Sequence, residues 1–427
     1  MPVSNATRGW LPVASALYVA GWGASQFAPL AVVYRVREGW AALAVAAMFT
    51  LYLVGLVPGL LLGGRIADRY GRRRAVRGAL AMSSAASTAL AAAVVTEDAV
   101  YPSRLATGLA AGIVLSAGAT WLEEISEARG QDAGNRRALY ATGAGFASGA
   151  LAAGVVAEWL PQPMVLPCLL HGVLVLLVFF ATRGSPDTTP SREDGTAPPR
   201  PPRMRWTIVT HPRFVLVVLP ASPAAFAAAT VAYVVLPPLV IDQVHGHAPM
   251  FSGLVVGVTI ATGVAVQPLA TWLDQAGSAR STLVAMATVV VGLLAGAVAV
   301  YLDSPLLVLP AAVVLGAGYG LTLASGLKEI ERLAHGPALP TASSVYQGAT
   351  HSGFLAPLLL AMSAGAAPYP ALLVGLAAVG VLFLGITAFY SRRHLPAVMG
   401  AAQEPPSAPE PGPSERARAE RSATRDE

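Results

Sequence analysis

Charge is what this sequence lacks. Of its 427 residues, 12% are Asp, Glu, Lys or Arg, against roughly 25% in soluble domains. A globule of this length could not cover its surface with so few. A cytosolic enzyme, a disordered chain and a free nucleic-acid binder are therefore excluded, and lipid is the expected solvent. Cysteine is nearly absent as well. The lone Cys168 excludes an internal disulfide and a cysteine-based zinc site, and reads as a packed thiol. The one lysine, Lys328, lies in Leu-Lys-Glu, so there is no phosphate-binding G-x-x-x-x-G-K-[ST] loop and no ATP hydrolysis by that route. H-E-x-x-H is missing, and no metal or cofactor is expected.

What remains is 55% hydrophobic and sharply segregated. Stretches 9–34, 39–64, 78–96, 138–157, 159–182, 214–241, 243–273, 281–302 and 304–327 carry no Asp, Glu, Lys or Arg. Stretch 99–122 carries only Arg104. Stretch 333–391 carries none and is long enough for two helices, divided at Pro368 and Pro370. A crossing takes about 20 apolar residues, so twelve transmembrane helices are expected. The resulting fold class is an all-α membrane protein of two six-helix bundles. The expected organisation is a first bundle over 1–182, a linker over 183–213, a second bundle over 214–391 and a tail over 392–427.

With alternate loops on opposite sides, 25 of the 28 basic residues fall on one side; Arg35, Arg37 and Arg104 are the exceptions. Basic loops stay cytoplasmic, which puts both termini and the linker inside the cell membrane. The linker holds seven prolines and six arginines and reads as flexible. The Pro-rich, mixed-charge tail reads as disordered. Residues 9–34 are expected to stay as the first crossing, because the nine residues at the start lack a basic leader and a cleavage site.

The halves echo each other. Asp68-Arg69-Tyr70-Gly71 matches Asp274-Gln275-Ala276-Gly277 at an offset of 206, Glu124 matches Glu329 at 205, and Tyr140 matches Tyr346 at 206. Three coincidences in equivalent loops or helix starts indicate duplication. Transporters are commonly built from such repeats, with the substrate site between halves near the midplane.

Residues 64–76 read Gly-Arg-Ile-Ala-Asp-Arg-Tyr-Gly-Arg-Arg-Arg-Ala-Val. Gly64 ends the second helix and is expected to admit a neighbouring helix. Gly71 allows a tight turn. Asp68 can pair with Arg72 or accept backbone N–H bonds. This stretch resembles the loop 2–3 signature of the major facilitator superfamily, G-x-L-A-D-R-x-G-R-[RK]-x-x-L. Gly64, Asp68, Arg69, Gly71, Arg72 and Arg73 match it. The resemblance implies a latch that holds one transport state closed. Positive-inside anchoring would need the arginines alone.

The fourth crossing holds Arg104-x-x-x-Gly108-x-x-x-Gly112, and the fifth holds Gly145-x-x-x-Gly149-Ala150-x-x-Ala153-Gly154. Intramembrane charges are costly and functional by default. The first pattern resembles a motif of the family's proton-coupled drug exporters, implying a coupling role for Arg104; snorkelling outward or pairing with Glu97 or Asp98 are the other readings. The second is similar to the antiporter signature G-x-x-x-G-P-x-x-G-G. Ala150 replaces its proline, and small-residue packing explains it equally.

Gln26, Tyr140, Tyr233 and Tyr319 are the candidate cavity residues, with Trp22, Phe27 and Phe226 as candidate aromatic lining. Gln267, His171 and His351 read as packing residues. No carboxylate lies mid-helix as an obvious proton carrier. The expected function is secondary transport by alternating access, proton-coupled, with a small lipophilic or amphipathic compound exported. Uptake of a metabolite is the alternative. A lipid-linked glycosyltransferase is disfavoured by the short outer loops. The expected partners are a small-molecule substrate, protons and the bilayer, with neither nucleic acid nor ATP.

Overall fold

The computed structural model describes residues 9–92, 96–127, 133–188, 210–275, 277–333 and 339–393. The tail beyond 393 and linker residues 189–209 lie outside them. The helices occupy the low-charge stretches, and four of those stretches hold more than one helix. In the first half these are α1 (Leu11–Ser25), α2 (Phe27–Val36), α3 (Ala42–Tyr70), α4 (Arg72–Ala91), α5 (Val100–Ile113), α6 (Ala119–Glu127), α7 (Gly134–Trp159) and α8 (Leu166–Ala181). The second half has α9 (Leu219–Thr230), α10 (Leu236–Leu239), α11 (Ala248–Leu273), α12 (Arg280–Tyr301), α13 (Pro305–Leu333), α14 (Leu339–His351), α15 (Ala356–Ser363) and α16 (Tyr369–Tyr390). No β-strand occurs among the described residues, only a bridge between Gln275 and Ser278.

Among the described residues, ten helical stretches are long and apolar enough to cross a membrane. Two of the twelve expected crossings fall short for visible reasons. One is α4, which opens on Arg72, Arg73 and Arg74 and adds Arg77 in its second turn. The other, 339–363, carries Gln347, Thr350, His351 and Ser352, which lower its mean hydropathy, and it is also broken by a 3₁₀ turn, Ser352–Leu355.

Prolines account for several breaks. Pro29 cannot donate to Ser25, and the first crossing divides at Gln26 between α1 and α2. Pro237 and Pro238 remove donors to Tyr233 and Val234, and a π turn, Val231–Val235, takes up the slack between α9 and α10. Pro357 removes the donor to Gly353 and stops α14 from running into α15. Pro368 caps α16, so the break expected at the proline pair is present; the interruption at 352–355 was not foreshadowed.

Glycines set the spacing of neighbouring helices. A Cβ at Gly108 would lie 2.0 Å from the Tyr52 carbonyl oxygen, and one at Gly112 would lie 2.4 Å from that of Leu56. Those backbones on α5 and α3 touch, and Gly55, Gly59 and Gly63 complete the contact from α3. Close approach therefore belongs to Gly63, one residue before the expected Gly64, whose Cβ would meet nothing nearer than Ser116 Oγ at 3.8 Å. On α7, a Cβ at Gly145 would strike the Tyr18 carbonyl at 2.0 Å and one at Gly149 the Trp22 Cα at 2.6 Å. Gly154 faces the second half, where a Cβ would lie 2.8 Å from the Pro249 carbonyl.

Candidate functional site

Two ion clusters lie at equivalent helix ends of the two halves, and aromatic rings fill the space between the halves. The first cluster joins the signature residues. Arg72 reaches Asp68, one turn away, and donates from Nη2 to Glu124 Oε1 at 3.1 Å. Burial opposes the Arg72 charge, but the bonds to Glu124 and Asp68 outweigh it and hold its pKa above the ordinary arginine value. Gly71 has φ +96°, the turn expected of it. Arg69 lies over the Tyr70 ring at 5.4 Å. The cluster also takes in chain that segmentation by charge had placed in the linker. Asp187 Oδ1 accepts the Arg72 backbone N–H at 3.1 Å. Trp121 Nε1 donates to the Pro186 carbonyl at 2.8 Å, and Arg73 reaches the carbonyls of Arg183 and Ser185 at 3.4 Å. Thr188 donates to Glu124.

The second cluster is the repeat's counterpart. Arg213 donates to Glu329 from Nε at 2.8 Å and from Nη2 at 3.1 Å, and both side chains are buried. Arg332 bridges Glu329 at 2.8 Å to Asp274 at 2.6 Å. Sequence reasoning missed Arg213, because a basic residue ahead of a helix reads as topogenic.

Between the halves, Phe49, Tyr52, Phe146, Tyr233 and Phe354 surround a small cavity together with Ser25. It leaves about 10 Å³ for the centres of water-sized groups, about one water. Phe49 stacks on Phe354 at 5.7 Å and meets Tyr233 edge-on at 6.3 Å, so rings from both halves close it. At the end of the fold away from the Arg72 cluster, a larger pocket of about 390 Å³ opens between Arg37 of α2 and Asp242 and His245 ahead of α11.

Arg104 is buried against this ring system. Its guanidinium lies 4.1 Å from the Phe27 ring centre and 4.8 Å from that of Tyr52. Among the described residues none of its three nitrogens has a hydrogen-bond partner, and neither do the Tyr34 and Tyr52 hydroxyls or Gln26 Oε1. Of the readings open from sequence, outward snorkelling and pairing with Glu97 or Asp98 do not match this burial.

Of the candidate cavity residues, Tyr233 lines the cavity and Gln26 is buried nearby in the chain with its carbonyl oxygen unsatisfied. Tyr319 packs on Phe226 at 5.5 Å, one ring further out. Tyr140 is 58% exposed and does not join them. Trp22, Phe27 and Phe226 lie behind the lining rather than in it. The lining rings Phe49, Tyr52, Phe146 and Phe354 were missed, because aromatic residues in apolar helices carry no signal that separates lipid-facing from cavity-facing positions.

The two buried histidines differ. His171 Nε2 donates to the Val19 carbonyl at 2.9 Å, which leaves Nδ1 to accept from Ser87 at 2.6 Å. It is the satisfied packing residue expected. His351 donates from Nδ1 to the Gln347 carbonyl at 2.6 Å, and Nε2 makes no hydrogen bond among the described residues.

A helical membrane chain whose two halves meet around a central cavity is built like a transporter. Residues 13–357 match the family model of the Major Facilitator Superfamily, and the chain belongs to that family. It is 35% identical over 99 residues to the 3-(3-hydroxy-phenyl)propionate transporter of Escherichia coli (strain K12). That match spans 23% of either chain. The fold resembles the solved nucleoside transporter NupG, with a TM-score of 0.70 at 13% identity over 90% of this chain and 99% of that one. It also resembles a POT family transporter in complex with 5-aminolevulinic acid, with a TM-score of 0.70 at 12% identity over 90% and 96%.

Proposed function

We propose that this chain carries a small organic carboxylate with an aromatic body across the cell membrane by alternating access, inward and together with protons. Its twelve crossings form two bundles, over 1–182 and 214–391, that rock about the central rings. Both termini and the linker face the cytoplasm, where the basic residues collect. The Asp68–Arg72–Glu124 cluster is the latch at that face.

The observation that carries this reading is the guanidinium of Arg104. A buried cation without hydrogen-bond acceptors costs several kcal/mol, and a substrate carboxylate would supply the missing acceptors bidentately. The surrounding rings suit an aromatic body. Tyr52 stands between Arg104 and the cavity, so opening must displace its ring. The substrate named for the 3-(3-hydroxy-phenyl)propionate transporter, an aromatic carboxylate, has the same two features.

Export of an uncharged lipophilic compound is the second reading. It rests on the α7 glycine pattern. Gly145, Gly149 and Gly154 each press on neighbouring backbone, which packing alone explains.

Flux of 3-(3-hydroxyphenyl)propionate into proteoliposomes, with and without an inward proton gradient, tests both. Arg104→Ala should lower gradient-driven uptake at least tenfold, which equals about 1.4 kcal/mol of lost anion binding. Arg104→Lys keeps the charge, loses the planar stack and should retain part of the flux. Near-native uptake in both variants would overturn the anion role. Substrate leaving against the gradient would favour export.

A further inference from the structure

We infer that His351 is the group that takes up the transported proton, and that it does so only when the carboxylate is bound. The inference rests on the substrate reading above. Coupling needs a group that changes charge near neutral pH, buried beside the cavity and able to accept a proton. Among the described residues around the central rings there is no Asp, Glu or Lys, and arginine stays protonated. Histidine is the side chain that titrates in this range. His171 is excluded, since both ring nitrogens are engaged. His351 has Nδ1 engaged as donor and Nε2 available as acceptor.

Its position suits the role. His351 is 7% exposed and stacks on Phe354, a ring of the cavity wall, at 5.9 Å and 13°. It ends α14 at the break before α15, and the next turn is pressed on α9: a Cβ at Gly353 would lie 2.2 Å from the Pro223 carbonyl oxygen. Phe226 of α9 packs tilted against His351 at 4.6 Å, with the Tyr319 phenol of α13 behind it. On its own helix, Thr350 is 3.5 Å from Nδ1, and the Tyr346 hydroxyl is committed to the Thr322 and Leu323 carbonyls. From α3, the Tyr52 phenol meets Phe354 at 6.5 Å, and beyond it lies Arg104. No carboxylate appears in this set to balance an imidazolium.

That charge pattern makes the proton conditional. Arg104 gives the empty site one positive charge, and burial among the same rings opposes a second cation at Nε2. A bound carboxylate cancels the first charge and admits the second. The empty site and the site loaded with anion and proton then carry the same net charge. Nε2 takes the proton from water on one side and returns it to water on the other as the anion leaves.

The test uses the full chain in lipid nanodiscs with 3-(3-hydroxyphenyl)propionate as probe. Binding is followed by calorimetry, and proton uptake by an indicator dye in weak buffer. The wild type should take up protons in proportion to bound anion. His351→Gln and His351→Phe should bind the anion and take up none; Phe preserves the ring stack if Gln disturbs folding. In proteoliposomes both variants should keep exchange of labelled for unlabelled probe and lose accumulation driven by a pH gradient. Proton uptake equal to wild type in either variant would overturn the assignment, as would anion binding by the wild type without proton uptake. No binding by the wild type would overturn the carboxylate reading and the pairing with it, an outcome told apart by its absent binding heat.

Discussion

Asp68 and Glu124 in the first half correspond to Asp274 and Glu329 in the second, and in both halves an arginine bridges the two acids. The arginine is not the same one. In the first half it is Arg72, at the start of the following helix. The position equivalent to Arg72 at the 206 offset is Ser278, and the cation comes from Arg332 on the helix of Glu329 itself. The second half adds Arg213, which seals Glu329 from water; the acids of the first half stay 67% and 29% exposed. The tyrosines of the repeat diverge likewise. Tyr346 is buried with its hydroxyl on two carbonyls, while Tyr140 is exposed. The comparison separates a cluster that can exchange partners cheaply from one that cannot. Exposed pairs are worth under about 1 kcal/mol and can open during a transport cycle. Removing one partner of a buried pair costs about 3–5 kcal/mol.

The largest expected effect is therefore in the cluster with the weaker signature. Glu329→Gln leaves Arg213 buried without a counter-charge and should destabilise the second half by about 3–5 kcal/mol. Thermal unfolding of the purified protein should show a clear drop. The double variant Arg213→Met with Glu329→Leu, which removes both charges, should recover most of it. A Glu329→Gln midpoint equal to wild type would erase the distinction between the clusters.

That inversion shows where the sequence was legible. Charge-free stretches located the helices because lipid tolerates few charges, and that rule is insensitive to side-chain detail. The signature located Asp68, Gly71 and Arg72 because a turn and an ion cluster need particular residues at fixed spacing. Arg213 was hidden because its partner Glu329 lies 116 residues away, at a distance that no local pattern encodes. The docking of 183–188 was hidden for the same reason: Pro186 and Asp187 carry linker composition, yet their contacts are with Trp121 and Arg72. Among the aromatic residues, only tertiary packing distinguishes Phe354 at the cavity from Phe389 on the surface.

A middle-sized effect sharpens the first-half side of the comparison. Asp187 accepts the N–H of Arg72, the residue that opens α4, and so caps that helix from outside it. Asp187→Ala should cost about 1 kcal/mol, the usual worth of an N-terminal cap. It should also loosen 185–188, which limited proteolysis in the linker would detect as faster cleavage. Unchanged cleavage would mean that Trp121 and Arg73 hold this segment without the carboxylate.

The smallest effect on stability is expected at the residue that the signature marks most strongly. Asp68 is the more exposed partner of Arg72, and Glu124 remains to hold the guanidinium when Asp68 is neutral. Asp68→Asn should therefore shift the unfolding midpoint little, by under about 1 kcal/mol. Its effect should appear in rate. A bias of about 1.4 kcal/mol between two transport states changes their ratio tenfold, so even part of one exposed pair can slow the cycle severalfold. Exchange flux of the aromatic carboxylate should fall in Asp68→Asn while membrane insertion and unfolding stay near wild type. If flux stays normal, the cluster only anchors the loop, and the contrast between halves is one of burial without consequence for transport. If stability falls as far as in Glu329→Gln, the exposed pair is structural after all, and the two clusters are the same device in different surroundings.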